Sequence, residues 1–232
     1  MPSADNPSDE PDTTIPAAPR AAAPEQPPAD AFVPLTEEQL QAAHLQPLAA
    51  LNGPIYLAEY DPQWPHLFAR EAERIRAALG DRVALLEHAG STSVPGLAAK
   101  PRIDIVLAVP DTTDEPAYVP ALEAAGYVLH IREPDWFEHR LFKGPDTAIN
   151  LHVFSAGCPE IARMLLFRDW LRAHPDDRQL YERTKRELAQ RIWKYTQNYA
   201  DAKTTVVKEI LARAQRASAA PDHAGEAAHG DA

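Results

Sequence analysis

The most constraining feature of this chain is a seven-residue apolar run near its middle, Ile103–Val109, which only Asp104 interrupts. Strands that are covered on both faces show this nearly continuous apolar pattern, whereas strands with one face in water alternate between apolar and polar residues. The run therefore predicts a buried strand, and a buried strand of this kind indicates an α/β arrangement of layers.

Shorter apolar segments on both sides of this run have the periodicities of further strands and helices. The strands are predicted at residues 55–59, 83–86, 103–109, 127–131, 140–143 and 149–154. The helices are predicted from Thr36 to about His44, from the Trp64-Pro65 pair to a stop at Gly80, and over about 116–125, 160–173, 176–195 and 200–215. Strands interleaved with helices indicate an α/β (α+β) fold, with one mixed β-sheet flanked by helices and a helical C-terminal part.

The two ends of the chain differ in composition from its middle. Residues 1–34 contain nine of the 23 prolines, six acidic residues and one base, and residues 217–232 contain three acidic residues and no Lys or Arg. Such segments bury too little apolar surface to offset the entropy lost on ordering, so both are predicted to be disordered. The remaining residues, 35–216, have the length of one ordinary domain.

The charge and the cysteine content argue against several classes of protein. A net charge of −11 argues against general binding to nucleic acids or to anionic membranes. The single cysteine, Cys158, excludes an intramolecular disulfide and a multi-cysteine zinc site. The chain has neither an 18-residue apolar run nor an N-terminal signal pattern, so we expect a cytoplasmic protein that does not contact membranes.

The segment that carries the chemistry joins a short strand to the buried run. It contains the turn Gly90-Ser91-Thr92-Ser93, and the strand that follows it carries Asp104. Glycine lets a backbone approach a ligand closely, and the N–H and hydroxyl groups of the next three residues can donate to phosphate oxygens. Asp104 suits a Mg²⁺ ion that bridges those phosphates. The residues alone leave a second interpretation open, a capped turn beside a buried and hydrogen-bonded aspartate.

Other phosphate-binding and nucleophile motifs do not fit this segment. Leu97 follows Gly96, where a P-loop would have lysine and then serine or threonine, and no G-x-G-x-x-G occurs. The serines do not lie in a G-x-S-x-G elbow, which argues against a serine hydrolase.

The run HAGSTSVPGLAAKPRIDI, residues 88–105, resembles the signature of the GrpB-like family, also called UPF0157. Further matching pieces follow the family's order, namely AEYDP, FEHR, LHVF and LFRDWLR, and the resemblance covers about residues 36–213. Through it the chain is identified as a member of the nucleotidyltransferase superfamily, which includes DNA polymerase beta. The resemblance implies the mixed sheet of that superfamily and the binding of a nucleoside triphosphate with a divalent metal.

The resemblance also implies roles for individual residues. Gly90 and Ser91 match the pair that binds the terminal phosphates, and Asp104 matches the first metal-binding carboxylate. Val106 stands where a second carboxylate is expected, and His152 where a third acid is expected. Two-metal catalysis needs carboxylates to hold both ions, so this set is incomplete. We therefore predict metal ligands and catalytic residues that include histidines: Asp104, His152 and His88 as ligands, and Asp104, His152 and His139 in catalysis.

The cofactor is predicted to be Mg²⁺ or Mn²⁺, and a transition metal is the alternative because imidazole ligands suit such ions. The residues predicted to contact the phosphates are Gly90, Ser91, Thr92, Ser93, Lys100, Arg140, Arg168, Lys185 and Lys203. The predicted function is nucleotidyl transfer from a nucleoside triphosphate to an unidentified acceptor. The alternative, which Val106 motivates, is a non-catalytic module that binds a nucleotide or another phosphorylated small molecule.

Overall fold

The computed structural model describes residues 35–219, which include the whole predicted domain. Residues 1–34 and 220–232 lie outside the described residues, and with them lie the N-terminal stretch and most of the C-terminal stretch that the composition predicts to be disordered. Residues 217–219 continue the last helix.

One five-stranded mixed sheet forms the centre of the fold. Its strands are β1 (Leu85–Ala89), β2 (Ile103–Val109), β3 (Val128–Glu133), β4 (His139–Lys143) and β5 (Ile149–Ser155). They lie in the order β1-β2-β5-β4-β3, in which β2 and β5 are parallel and the other neighbouring pairs are antiparallel. The predicted mixed sheet is confirmed, and the apolar strand β2 lies inside it with a neighbour on each side.

Seven α-helices accompany the sheet in the described part of the chain. They are α1 (Glu37–Ala43), α2 (Trp64–Leu79), α3 (Val119–Ala124), α4 (Pro159–Ala173), α5 (Pro175–Ala189), α6 (Thr196–Ala202) and α7 (Thr204–Ala219). Thr36 caps α1, and Gly80 ends α2 at a φ of +55°, as their sequence positions predict. None of the helices within residues 35–219 is both long and apolar enough to cross a membrane.

The predicted and observed elements differ most at three places. Residues 55–59 do not form a strand, because Ala58 makes only an isolated bridge to Ala99. The helix predicted at 176–195 ends at Ala189, and Trp193 beyond it pairs with Gly53. The helix predicted at 200–215 begins earlier and is interrupted at position 203, which separates α6 from α7.

The two faces of the sheet are covered by different helices. Because side chains alternate along a strand, Ile105 and Leu107 of β2 face the main core, which α2 and α3 complete. Val106 and Ala108 point to the opposite face and pack against Ile161 of α4. Asp104 lies two residues before Val106, so its side chain points to the same face of the sheet. Its carboxylate therefore lies at the end of the face that α4 covers.

The helices that follow β5 hold the segment between the Gly90 turn and β2. Val94 and Leu97 of that segment pack into an apolar cluster with Leu171 of α4, Tyr181 of α5 and Ile210 of α7. The position of the turn relative to Asp104 therefore depends on the helical C-terminal part.

Candidate functional site

The turn at the end of β1 lies directly against the carboxylate of Asp104. Asp104 is the register partner of Ala89, the last residue of β1, so Gly90 begins the turn beside it. Gly90 has a φ of +64°, and a Cβ atom placed on it would lie 2.3 Å from Asp104 Oδ2. Only glycine fits at this position, and its small size brings the backbone of the turn up to the carboxylate.

The three hydroxyl residues of the turn have different surroundings. Ser93 Oγ donates to the carbonyl of Gly90 at 2.6 Å, and Thr92 Oγ1 lies 3.0 Å from His88 Nε2 in a buried pair. The half-buried Ser91 has no hydrogen-bond partner for its hydroxyl within residues 35–219. Thr92 and Ser93 therefore shape the turn, and Ser91 is the residue whose hydroxyl is available to a ligand.

Asn150 on β5 orients the carboxylate of Asp104. Its Nδ2 donates to Asp104 Oδ1 at 2.8 Å, and its Oδ1 accepts from Lys143 Nζ at 2.6 Å and from Arg102 at 3.4 Å. Burial acts to raise the pKa of Asp104, but the neighbouring His152, the hydrogen bond from Asn150 and the charge of Lys100 hold it below its ordinary value. The carboxylate is therefore ionised at neutral pH, and cationic side chains surround it.

Four titratable side chains form a continuous row across this face of the sheet: Glu133, His139, His152 and Asp104. Glu133 Oε2 lies 2.6 Å from His139 Nδ1, and His139 Nε2 lies 3.1 Å from His152 Nδ1. His152 Nε2 in turn lies 3.8 Å from Asp104 Oδ1. The structure thus brings together the three residues predicted to be catalytic, and we call the four the Glu133–Asp104 row.

The protons in this row are assigned from its Glu133 end. A carboxylate only accepts, so His139 donates its Nδ1 proton to Glu133. Burial lowers the pKa of His139, and the Nε2 of the neutral ring then accepts from His152 Nδ1. When the Nδ1 proton is the only one on the His152 ring, the lone pair of Nε2 faces Asp104 Oδ1. Two acceptors that face each other with no proton between them suit a cation.

Asp104 Oδ1 and His152 Nε2 are spaced as two ligands of one divalent ion would be. Their separation of 3.8 Å is beyond hydrogen-bonding range, but it is less than twice the length of a metal–ligand bond, ~2.0–2.2 Å. No group of three or more His, Cys, Asp or Glu side chains able to hold a metal occurs within the described residues. An ion at this pair would complete its coordination with water or with oxygens of a bound molecule, as Mg²⁺ commonly does.

The structure does not bring His88 and Arg140 to this face of the sheet. His88 is the register partner of Ile105, and it stacks on Phe68 of α2 with centroids 4.9 Å apart. Burial lowers the pKa of His88 to about 4. Arg140 also points to the main-core side, where Glu115 accepts from its Nε at 2.7 Å. In each strand, the residues next to His88 and Arg140 point to the face that carries Asp104, and His88 and Arg140 themselves point to the opposite face. The geometry therefore does not support their predicted ligand roles.

Three of the predicted phosphate ligands, Lys100, Lys185 and Lys203, lie close together. The Nζ atoms of Lys100 and Lys203 lie 5.6 and 4.8 Å from the ring centroid of Tyr199, and Lys185 Nζ donates to the carbonyl of Ala98. None of the three lysines makes an ion pair within residues 35–219. Burial, reinforced by repulsion from Lys203, lowers the pKa of Lys100 to about 8 and that of Lys185 to about 7. An anion bound beside this lysine group would offset its uncompensated charge.

The remaining predicted phosphate ligand, Arg168, lies at a separate cleft beside the edge strand β1. Its guanidinium donates to Glu87 Oε2 at 2.7 Å, to the carbonyl of His88 at 2.9 Å and to Asp169 Oδ1 at 2.8 Å. The cleft has a volume of about 450 Å³, and its lining includes Arg168, Arg172, Arg178 and Phe68. Because two carboxylates already balance its charge, Arg168 fastens α4 to β1 and does not join the lysine group.

Sequence reasoning misses three residues of the site, Asn150, Lys143 and Glu133. A signal for Asn150 exists, because Asn150 and His152 are polar at alternate positions of β5, which is apolar at its other positions up to Phe154, and the alternation places both on one face. Lys143 shares the parity of His139 on β4 in the same way. Glu133 faces His139 only through the register between β3 and β4, which the sequence does not reveal.

A comparison with known sequences identifies the family. The sequence profile of the GrpB protein family matches residues 54–213, more than half of the chain. The chain belongs to the GrpB family. The Glu133–Asp104 row and the lysine group both lie within the range that matches the GrpB profile.

Three relatives show how far the similarity extends. A UPF0157 protein of Halalkalibacterium halodurans is 61% identical over 181 residues, which cover 78% of this chain and 93% of that protein. The crystal structure of the conserved protein GrpB from Enterococcus faecalis superposes with a TM-score of 0.61 at 31% identity, covering 71% of this chain and 100% of that one. A dephospho-CoA kinase of Mycolicibacterium paratuberculosis is 32% identical over 166 residues, which cover 60% of this chain and 41% of that protein. The GrpB family and the mixed α/β fold, both predicted from the sequence, are confirmed.

Proposed function

We propose that this GrpB-family chain is a member of the nucleotidyltransferase superfamily that binds a nucleoside triphosphate together with one divalent cation. The observation that carries the proposal is the contact of the Gly90 turn with the ionised carboxylate of Asp104. Lysines without ion-pair partners lie close by, and a phosphate chain supplies the negative charge that they lack. The same phosphates supply the oxygen ligands that a cation on Asp104 requires.

Each part of the site has its own task in this proposal. The backbone and hydroxyl of Ser91 hold phosphate oxygens. Asp104 Oδ1 and His152 Nε2 hold one Mg²⁺ or Mn²⁺ ion, which when bound withdraws charge from the phosphates. His139, itself held by Glu133, keeps His152 in the tautomer that presents Nε2 to the ion.

Nucleotidyl transfer to an acceptor is the reaction that we propose for this site. A hydroxyl oxygen of the acceptor attacks the α-phosphorus and forms the new phosphorus–oxygen bond, its proton passes to water, and pyrophosphate leaves with the electron pair of the broken phosphorus–oxygen bond. Lys100 and Lys203 stabilise the charge that develops on the leaving pyrophosphate. The similarity to a protein named as a dephospho-CoA kinase supports a nucleotide-type ligand, and it adds dephospho-CoA to the compounds worth testing.

A non-catalytic module that binds a nucleotide or another phosphorylated small molecule is the second candidate, and one observation favours it. Val106 occupies the strand position at which a second carboxylate would hold a second ion. It is fully buried and packs with Phe154 and Ile161. Apolar side chains therefore cover this face of the sheet two residues beyond Asp104. One carboxylate and one imidazole can anchor a nucleotide without activating an acceptor.

Ligand binding and pyrophosphate release separate the two candidates. The full chain is titrated by calorimetry with nucleoside triphosphates, dephospho-CoA and pyrophosphate, each with and without Mn²⁺. The nucleotide that binds is then assayed for pyrophosphate release. Metal-dependent binding with release supports transfer, and the same binding without release supports the module. If none of these compounds binds at millimolar concentration, nucleotidyl transfer and a nucleotide-binding module are both excluded.

Nucleotide binding is expected to weaken as the pH rises past the pKa of about 8 that Lys100 has in the free protein. A bound phosphate favours the protonated lysine, so the pKa of Lys100 rises on binding and protons are taken up. The triphosphate is already fully ionised in this pH range, so the loss of affinity comes from the deprotonation of Lys100. We expect the affinity to fall about tenfold between about pH 7.5 and 9, with proton uptake seen by calorimetry in two buffers of different ionisation enthalpy.

Two lysine variants provide the control for this pH dependence. Lys100→Met should bind weakly at all pH values and lose the dependence. Lys194→Met removes an exposed lysine that is paired with Glu37, and it should keep the full dependence. An affinity of the unmodified chain that does not change with pH would contradict a role for Lys100 in binding.

A further inference from the structure

Two buried side-chain polar atoms lack a hydrogen-bond partner within residues 35–219, and both belong to α6. They are the hydroxyl oxygen of Tyr199 and the Oδ2 atom of Asp201. Burying an unpartnered polar group costs free energy, so such a group in a folded protein calls for an explanation. An ionised carboxylate repels an anion, whereas a phenol hydroxyl can donate to one. Tyr199 is therefore the residue whose unused donor points to an anionic ligand.

Tyr199 lies against two members of the lysine group, Lys100 and Lys203. The Nζ atoms of Lys203 and Lys100 lie 4.8 and 5.6 Å from the centroid of its ring, although the two ammonium groups repel each other. The ring is 1% exposed, and the two lysines above it are half-buried. Cation–π attraction offsets part of the cost of holding the two lysines in this position. An anion drawn in by these lysines would arrive beside the Tyr199 ring.

We infer that Tyr199 is a further ligand-binding residue of the proposed nucleotide site, and that its hydroxyl donates to a phosphoryl group held by Lys100 and Lys203. The lysine stems are flexible, and side-chain rotamer changes are common on binding. When the two ammonium groups turn toward the phosphoryl group, they uncover the ring and its hydroxyl. The unpartnered donor of the free protein is then satisfied by the ligand.

The same placement specifies the class of ligand. Lys100 Nζ lies 5.6 Å from the centroid of the Tyr199 ring, and it is close enough to Asp104 for that charge to act on its pKa, so Lys100 is near both the metal-binding pair and the ring. One phosphoryl group at Asp104 and a second at Tyr199 are thereby accommodated together. The ligand is a compound with two or more linked phosphoryl groups, and orthophosphate alone does not reach both positions. This inference rests on the proposed function, since it adds a residue and a ligand length to the same site.

The test compares Tyr199→Phe with a matched variant, Tyr118→Phe. Tyr118 is also 1% exposed, but its hydroxyl donates to the carbonyl of Thr112 at 2.9 Å. Calorimetry of the full chain with orthophosphate, pyrophosphate and tripolyphosphate, all with Mn²⁺, gives the affinities. Thermal unfolding without ligand gives the stabilities.

We expect tripolyphosphate to bind the unmodified chain at least tenfold more tightly than orthophosphate. Tyr199→Phe should weaken tripolyphosphate binding by about tenfold, the usual worth of a hydrogen bond to a charged group, and should leave the melting temperature unchanged or higher. Tyr118→Phe should lower the melting temperature and leave binding unchanged.

Three results would overturn the inference, and they are distinguishable. Tyr199→Phe binding that stays within twofold of the unmodified chain removes Tyr199 from the site and leaves the proposed function standing. A melting temperature lowered as much as in Tyr118→Phe shows that the hydroxyl has a structural partner. If the unmodified chain binds none of the three phosphates, the inference fails, and the titration with nucleoside triphosphates decides whether the proposed function fails with it.

Discussion

Replacing Gly90 with alanine is expected to lower the free energy of unfolding by about 3 kcal/mol. Two costs combine at this position. A Cβ atom would lie 2.3 Å from Asp104 Oδ2 and 2.9 Å from the Cβ and Cγ atoms of the same residue, so strand β2 or the turn must move. The φ of +64° with a ψ of −171° adds backbone strain, since side-chain-bearing residues rarely adopt it. Chemical denaturation of the full chain measures the loss.

Gly96→Ala is the matched control for this variant. Gly96 follows the same turn and has a φ of +75°, but a Cβ placed on it meets no atom within 4 Å. Its substitution therefore adds backbone strain but no steric clash, and we expect the free energy of unfolding to fall by about 1 kcal/mol. Equal losses in the two variants would show that Gly90 does not lie against Asp104, and the geometry on which the site is built would be wrong.

Replacing Asp104 with asparagine is expected to weaken Mn²⁺-dependent nucleotide binding roughly 100-fold, or about 2.7 kcal/mol. The amide keeps the shape of the side chain and still accepts from Asn150, so the fold should survive. The substitution removes the charge that we propose to hold an ion together with His152 Nε2, and the cations around Asn150 lose the carboxylate that offsets them. Calorimetric titration in the presence and absence of Mn²⁺ measures the effect.

Asp111→Asn serves as the control for charge removal. Asp111 lies just after β2 at its other end, is exposed, and only accepts from Thr113. Its substitution should leave nucleotide binding within twofold of the unmodified chain. If Asp104→Asn binds a nucleotide with the same affinity and the same metal dependence as the unmodified chain, Asp104 does not hold the ion.

Much of the fold follows from local patterns in the sequence. The strand Ile103–Val109 is observed at the residues that the apolar run predicts, because a continuous apolar run has few alternatives to a buried strand. The caps at Thr36 and Gly80 mark helix ends by local hydrogen bonding and backbone freedom alone. Elements that depend on distant partners are predicted less well, as at Ala58, whose alternating neighbours form no strand.

The residues of the candidate site also divide into those that local sequence predicts and those that depend on distant partners. Gly90, Ser91 and Asp104 lie next to one another along the chain or across one pair of strands, so their association can be predicted from the motif. His88 and Arg140 show the limit, because a single step along a strand moves a side chain to the opposite face of the sheet.

Partners that lie far apart in sequence need the three-dimensional fold. Lys203 reaches the ring of Tyr199 on the preceding helix, but Lys100 reaches the same ring from about one hundred residues earlier in the chain. Glu133 reaches His139 only through the register of an irregular hairpin. No local pattern in the sequence encodes these two contacts.

Asp104 and His152 are proposed to hold a divalent ion jointly beside a nucleotide's phosphates. Crystals of the full chain grown with Mn²⁺ and a non-hydrolysable nucleoside triphosphate test it most directly, through the anomalous scattering of manganese. We expect one anomalous peak between Asp104 Oδ1 and His152 Nε2, about 2.0–2.2 Å from each, with phosphate oxygens completing the coordination. Nucleotide density at the Gly90 turn without a manganese peak at this pair, or a peak bound to other residues, would contradict the account.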